Sequence, residues 1–326
     1  MNNMEHFNRN LSKNEAKNIM INIVDMPDSY KSNFLISLHN KGETAEEIAG
    51  FADAIRSLSK LKIKYGNLTD IVGTGGDKKN TINVSTAASI VLASMGLKVA
   101  KHGNFGITGN HGSADLMKFL GYNFHMPDDE IIKNLNEKGY VYILAPEYNE
   151  NFAKFASVRK SLGFKTVFNI LGPLTNPLNP ECVVLGAYDN SIAELYSNIL
   201  IKDSKRGFVI TSEDGMDEMS PFSVNNIYHV DKSITNFKLD PKKFIEDDIS
   251  IDDISSPDSK TSFEMTVGGM KGENKKVSEF IALNVAPALV ANGIYKTIQD
   301  AYFGVIEHIN EGKVMNKIKE VFNYKD

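Results

Sequence analysis

The sequence predicts an α/β fold, in which a small all-helical N-terminal part precedes a larger α/β part with a central sheet. Three observations predict it. The first sixty residues carry apolar side chains at helical spacing behind two capping-box signatures, Ser12-Lys-Asn-Glu15 and Thr44-Ala-Glu-Glu47. From Leu68 onward, short apolar or β-branched runs alternate with helical segments, the pattern of a sheet under helical cover. The first of those runs leads straight into Gly73-Thr-Gly-Gly-Asp77, whose glycines let successive N–H groups approach an anion.

Taken in order, Ser12 opens a helix over 16–24, and Asp28 or Ser29 caps a second one carrying Phe34, Leu35 and Leu38. Lys41-Gly42 ends it, and Thr44 opens a third over 48–61. A buried strand over 68–72 precedes the glycine loop, followed by a helix over 87–95 closed by Gly96. A strand at 97–100, a helix at 113–120, a helix at 128–138 behind Pro127 and a strand at 140–145 continue the alternation. The pattern returns to helix at 152–162, then to a turn-rich stretch at 169–177. Strands at 182–185 and 207–211 flank a helix at 192–202. Residues 231–258 are acidic and proline-dotted and read as surface strands and loops, whereas 277–321 reads as amphipathic helices interrupted near Gly293 and Gly312. There is no internal repeat.

Composition narrows the function classes. The 326 residues carry a net charge of −5 without a basic tail, which argues against a broad nucleic-acid footprint. Cys182 is the only cysteine, so neither an intramolecular disulfide nor a cysteine zinc site is available. The first seven residues lack a signal-peptide pattern, and no apolar run approaches the roughly 20 residues of a membrane span. The expected setting is soluble, reducing and cytoplasmic.

Candidate functional residues cluster at strand ends. Asn83-Val-Ser-Thr86 places Ser85 and Thr86 at a helix N-terminus, where unpaired N–H groups and the helix dipole favour an anion. The glycine loop is not a dinucleotide fingerprint, because the third glycine position falls on Lys78, nor a Walker loop, because no Gly-Lys-Ser/Thr follows. Lys101-His-Gly-Asn104 is expected just past the strand at 97–100, offering a point charge, a close backbone approach at Gly103 and an amide. His102 reads equally as a structural or a site residue. The loop runs on to Ser113 as a second glycine-rich cradle. Asp217-Glu218 follows the strand at 207–211; it is a solvated turn or, facing a polyphosphate, a pair of hard ligands for Mg²⁺. Arg159 is a helix-surface cation or a fork for a carboxylate.

Seven motifs in order carry a resemblance. They are Asp70-Ile-Val-Gly-Thr-Gly-Gly-Asp77, Asn83-Val-Ser-Thr86, Lys101-His-Gly-Asn104, Gly112-Ser-Ala-Asp115, Val158-Arg-Lys160, Asn169-Ile-Leu-Gly-Pro-Leu-Thr-Asn-Pro177 and Asp217-Glu218. Over essentially the whole chain the sequence resembles the anthranilate phosphoribosyltransferase family. The resemblance implies a helical domain over 1–66, completed by helices near 151–180, and an α/β domain over 67–326 of the nucleoside phosphorylase / phosphoribosyltransferase-like kind. It implies a homodimer formed through the helical domains. The reaction implied is transfer of phosphoribose from phosphoribosyl pyrophosphate (PRPP) to the amine of anthranilate, in tryptophan biosynthesis, with Mg²⁺.

Roles follow position by position. Gly73, Gly76, Asp77 and Thr81 would hold PRPP together with Asn83, Ser85 and Thr86. Lys101, His102, Gly103, Asn104, Gly109 and Ser113 would complete that site. Ser85, Asp217 and Glu218 would bind the metal, and Gly73, Asn104, Arg159 and Gly172 would face anthranilate. No residue is implied as an acid or base; Lys101, Asp217 and Glu218 would stabilise the transition state. The chain departs from the family pattern at Phe105, His111 and Asn149, where arginine, serine and histidine are common; Asn149 would line the acceptor's path. Alternatives are a same-fold transferase or pyrimidine nucleoside phosphorylase with another acceptor, and a non-catalytic nucleic-acid-binding relative. The Gly73–Asp77 loop with Asp217-Glu218 argues against the phosphorylase, and the acidic charge with both carboxylates kept argues against the nucleic-acid binder.

Overall fold

The structure is a computed structural model that describes residues 9–77, 79–106, 112–322 and 324. Gly109 and His111 lie outside the described residues. The chain begins with α1 (Lys13–Ile23), α2 (Asp28–Lys41) and α3 (Ala45–Ser57). Next come β1 (Thr69–Gly73), α4 (Val84–Ser94), β2 (Val99–Gly103), α5 (Ser113–Phe119), α6 (Asp128–Glu137) and β3 (Tyr140–Leu144). Short helices α7 (Ala145–Tyr148), α8 (Ala156–Leu162) and α9 (Phe168–Leu171) precede β4 (Cys182–Gly186) and α10 (Asn190–Lys202). Strands β5 (Arg206–Ser212), β6 (Asn225–Val230) and β7 (Ile234–Leu239) follow. The chain closes with α11 (Ile251–Ile254), α12 (Ser259–Lys271), α13 (Lys275–Ala291), α14 (Ile298–Asn310) and α15 (Lys313–Phe322). It divides into two compact units, one of residues 1–63 and 145–179, the other of residues 64–144 and 180–326.

The first unit is helical. Both capping boxes form, at Ser12 with Glu15 and at Thr44 with Glu47. Glu47 is fully buried yet satisfied: it accepts from Leu11 N at 2.9 Å and Thr44 N at 2.9 Å, and pairs with Lys41 at 2.7 Å. One carboxylate thus caps α3 and ties down the segment before α1. At α2 the cap position is Pro27, which makes no side-chain bond, so neither Asp28 nor Ser29 caps it. The helix expected over 152–162 is two pieces, a 3₁₀ turn at Glu150–Phe155 and then α8. The Asn149 side chain, accepting from Asn151 N, starts the tighter turn.

The second unit holds a seven-stranded sheet in the order β3-β2-β1-β4-β5-β6-β7. β1 to β5 are parallel and β6 and β7 add an antiparallel margin. β3 and β4 are buried at every residue, matching their continuous apolar runs. β2 runs through Gly103, so Lys101 and His102 belong to the strand and do not follow it. α13 is not amphipathic, since every residue from Val277 to Leu289 is buried against α4, α12, α14 and the sheet. α12 carries no clear period because Gly268-Gly269 and several hydroxyls interrupt its apolar face.

The chain leaves β1 toward β2 and β3, then returns to β4 on the other side of β1. Strand order therefore reverses between β1 and β4, and the crevice beyond their C-terminal ends is where open α/β sheets hold ligands. These two strands are paired along their length, from Thr69 opposite Cys182 to Gly73 opposite Gly186.

Candidate active site

The Asp217 segment docks on that crevice. A Cβ on Gly186 would overlap the Asp217 carbonyl oxygen, and one on Gly73 would overlap Asp217 Oδ2. Glycine ends both strands because the acidic loop occupies the space a side chain would take. Beyond β1 the loop turns through Gly75 and Gly76 at φ of +68° and +82°. Asp217 Oδ2 accepts from Gly75 N at 2.5 Å and from Thr74 Oγ1 at 3.2 Å. Glu218 Oε2 accepts from Thr81 Oγ1 at 3.1 Å. Buried Met216 and Met219 flank the two acids, and Asn284 of α13 holds the Met219 backbone, accepting from its N–H at 2.9 Å and donating to its carbonyl at 3.1 Å. Thr74 and Asn284 are not legible in sequence as site residues, because their partners are distant in the chain.

Burial dominates the electrostatics here. It pushes the Asp217 carboxyl up to about 6, with the Asp77 charge adding to it and the Gly75 and Thr74 hydrogen bonds opposing. Glu218 is raised well above the ordinary carboxylate range by burial, then by Asp217 and Asp77. Asp77 Oδ1 accepts from Lys79 N at 3.0 Å, while its buried Oδ2 has no hydrogen-bond partner among the described residues. Burial and neighbouring negative charge raise Asp217 and Glu218, and a hard divalent cation such as Mg²⁺ beside them would relieve that cost. Among the described residues no three His, Cys, Asp or Glu side chains gather closely enough to hold a metal alone. A cation here would complete its shell with ligand or water oxygens.

The start of α4 lies next along the chain. Its cap residue, Asn83, makes no side-chain bond to the first turn, and Thr86 Oγ1 is buried with no partner among the described residues. Ser85 is half-buried in the same turn. Ile82 N donates to Ile254 O at 2.8 Å, which fixes the entry of the chain into the helix.

At the end of β2, Lys101 is buried and donates to the His102 carbonyl at 2.6 Å. Burial pulls its pKa down, and Asp70 partly opposes that. Asp70 itself is buried in β1 and accepts from His102 N at 3.2 Å. The sequence motifs assign Asp70 no role of its own; a carboxylate inside an apolar strand is the signal that could have found it. Asn104 Oδ1 accepts from Phe105 N at 2.8 Å, and Ser113 Oγ meets both the N–H and the carbonyl of Asn104 at 3.1 Å.

Arg159 and Gly172 belong to the helical unit. The half-buried Arg159 guanidinium lies 5.5 Å from the centre of the Phe168 ring, and burial lowers its pKa. Gly172 follows α9 and accepts from Thr175 N at 3.2 Å and Thr175 Oγ1 at 2.9 Å. Asn149 is buried; it donates to Ile55 O at 2.5 Å and accepts from Asn151 at 3.2 and 3.1 Å. Its side chain is hydrogen-bonded within the helical unit itself.

Residues 4–59 match the helical bundle domain of a glycosyl transferase family, and residues 65–315 match that family's a/b domain. The anthranilate phosphoribosyltransferase of Picrophilus torridus is 54% identical over 316 residues, covering 97% of each chain. The crystal structure of anthranilate phosphoribosyltransferase from Thermus thermophilus superposes with a TM-score of 0.92 at 28% identity, covering 99% of each chain. The Saccharomyces cerevisiae enzyme in complex with PRPP and Mg superposes with a TM-score of 0.86 at 27% identity, covering 96% of this chain and 93% of that one.

Proposed function

The chain belongs to the anthranilate phosphoribosyltransferase family, and from that premise we propose that it transfers the phosphoribosyl group of PRPP to the amine of anthranilate, giving N-(5-phosphoribosyl)anthranilate and pyrophosphate in tryptophan biosynthesis. One observation carries the reading: Asp217 docks against a glycine loop at the switch point of the sheet, with Glu218 beside it on Thr81. An anion cradle beside buried acids suits a ligand that arrives with a divalent cation, as a pyrophosphate does. A phosphorylase using inorganic phosphate has no pyrophosphate–metal unit to place there. A net charge of −5 speaks against a nucleic-acid binder.

In this reading the loop from Gly73 through Gly76 and Asp77, with Thr81, Asn83 and Thr86, holds the pyrophosphate end of PRPP. Lys101, His102, Gly103, Asn104, Gly109 and Ser113 complete the phosphoribosyl site. Ser85, Asp217 and Glu218 hold magnesium, whose bound charge would stabilise the departing pyrophosphate. Arg159 offers a fork to the anthranilate carboxylate, and Gly73, Asn104 and Gly172 share that substrate. The arylamine is neutral near pH 7, so its lone pair needs no base; it forms the bond to C1 as the C1–oxygen bond to pyrophosphate breaks. The amine proton leaves to solvent afterwards. The residues therefore act by alignment and by stabilising developing charge, with Lys101 contributing from within β2.

A homodimer formed through the helical unit belongs to the same reading, supported by the exposure of Met26 and Ile36 at 42% and 37%. So does a cytoplasmic location; no described helix is long and apolar enough to cross a membrane. The test mixes purified protein with PRPP, Mg²⁺ and anthranilate and follows the loss of anthranilate fluorescence. Magnesium-dependent loss is expected. No loss, with another acceptor consuming PRPP, would overturn the acceptor assignment.

A further inference from the structure

Asn104 and Ser113 are nine positions apart; two hydrogen bonds join them to each other, and a third joins Ser113 to β3. Ser113 Oγ accepts from Asn104 N at 3.1 Å and lies 3.1 Å from Asn104 O. It is also 2.8 Å from the hydroxyl of Tyr142, a side chain fully buried in β3. Proton counting orders this set. Serine has one proton and two lone pairs. If that proton goes to Asn104 O, the two lone pairs take the Asn104 N–H and the Tyr142 O–H. Every group is then satisfied, with Tyr142 as the donor. Burial pushes the phenol pKa up, so the phenol keeps the proton this requires.

The surroundings fit a fixed clasp. A Cβ on Gly103 would overlap both the Tyr142 and Ser113 oxygens, so glycine at that position makes room for their hydrogen bond. The Tyr142 backbone N–H donates to the Tyr122 hydroxyl at 2.7 Å. Phe124 packs 5.8 Å from the Tyr142 ring and 5.8 Å from the ring of Phe105, the residue after Asn104. One aromatic cluster therefore holds this segment twice, through a hydroxyl at Ser113 and a ring at Phe105.

We propose that Tyr142 is a positioning residue, which orients the Ser113 hydroxyl and through it fixes the Asn104 backbone at the substrate end of β2. The catalytic half of this proposal rests on the function proposed above. Ser113 serves as the link: in the free protein its hydroxyl is committed to Asn104. The acceptor-facing side chain of Asn104 is thereby set before substrate arrives.

Tyr142→Phe deletes the donor, Ser113→Ala deletes the link, and Tyr140→Phe deletes a neighbouring buried phenol that pairs with Ser89 at 3.2 Å and serves as control. Amide hydrogen exchange of the free protein is read over residues 103–106, alongside kcat and KM for anthranilate. Exchange should rise about tenfold in Tyr142→Phe and stay unchanged in Tyr140→Phe. Anthranilate kcat/KM should fall about 5- to 10-fold in Tyr142→Phe. Adding Tyr142→Phe to Ser113→Ala should cost nothing more. Unchanged exchange, or losses that multiply in the double variant, would overturn the proposal. Should Tyr142→Phe fail to fold, Ser113→Ala alone must show the faster exchange. If the unmodified protein turned over no anthranilate, the function reading would fail, and the exchange arm would still decide the clasp.

Discussion

The Gly75 amide donates to Asp217 Oδ2 at 2.5 Å, joining two loops 142 positions apart in the chain. The bond places a carboxylate of the β5 side directly on the glycine loop of β1. Neither loop alone makes a site. The glycine loop is an anion cradle without a counter-charge, and the acidic pair is a turn without a ligand.

Gly186 is the hidden requirement of that contact. Gly186→Ala pushes a methyl group into the Asp217 backbone, which has to move for the chain to fold. The variant should lose about 1–3 kcal/mol of stability from overpacking. It should also lose on the order of 100-fold in turnover through misplacement of the acidic loop. Denaturant melts and the fluorescence assay measure the two.

Asp217→Asn keeps the shape of the loop and removes one charge. Turnover should drop on the order of 100-fold or more. PRPP with Mg²⁺ should raise the melting temperature of the unmodified protein, and chelation with EDTA should abolish the magnesium-dependent part. In Asp217→Asn that increment should already be missing. An undiminished magnesium increment in the variant would remove Asp217 from the metal site.

Arg159→Lys retains a positive charge and loses the planar fork. The KM for anthranilate should rise about 10- to 100-fold while the KM for PRPP stays put. Equal rises in both would show that Arg159 supports the structure of its helix and not the acceptor.

Glu15 supplies a pH signature in the helical unit. Arg9, then Ser12, holds its carboxyl down at about 2, below the ordinary 4.5. Because the folded pKa is lowered, its contribution is full above about 4.5 and fades as pH falls toward 2. Glu15→Gln should therefore melt below the unmodified protein at pH 7, with the gap closing on acidification. A gap independent of pH in circular dichroism melts would mean that the charge contributes nothing.

Much of this is legible in local sequence. Both capping boxes lie within four-residue windows, and β1, β3, β4 and α4 are signalled by runs whose burial depends little on partners. The glycine loop and the acidic pair are visible as chemistry. The sequence pattern ends β2 too early because Lys101 and His102 are polar. Asp70 lies 32 positions before His102, yet it accepts the His102 N–H and lets polar residues continue a buried strand. α13 reads as amphipathic because nothing local says that α4, α12, α14 and the sheet enclose it on every side.

The sequence by itself determined most of the elements, the fold class and the presence of an anion cradle, since these rest on spacing, caps and backbone freedom within a few residues. Only the tertiary structure decided that Asp217 lies on Gly73 and Gly186, that one Asp77 oxygen has no partner among the described residues, and that Tyr142 stands behind Ser113. Those relationships depend on which strands pair and what burial does to charge, and both arise only when distant segments share the same dry space.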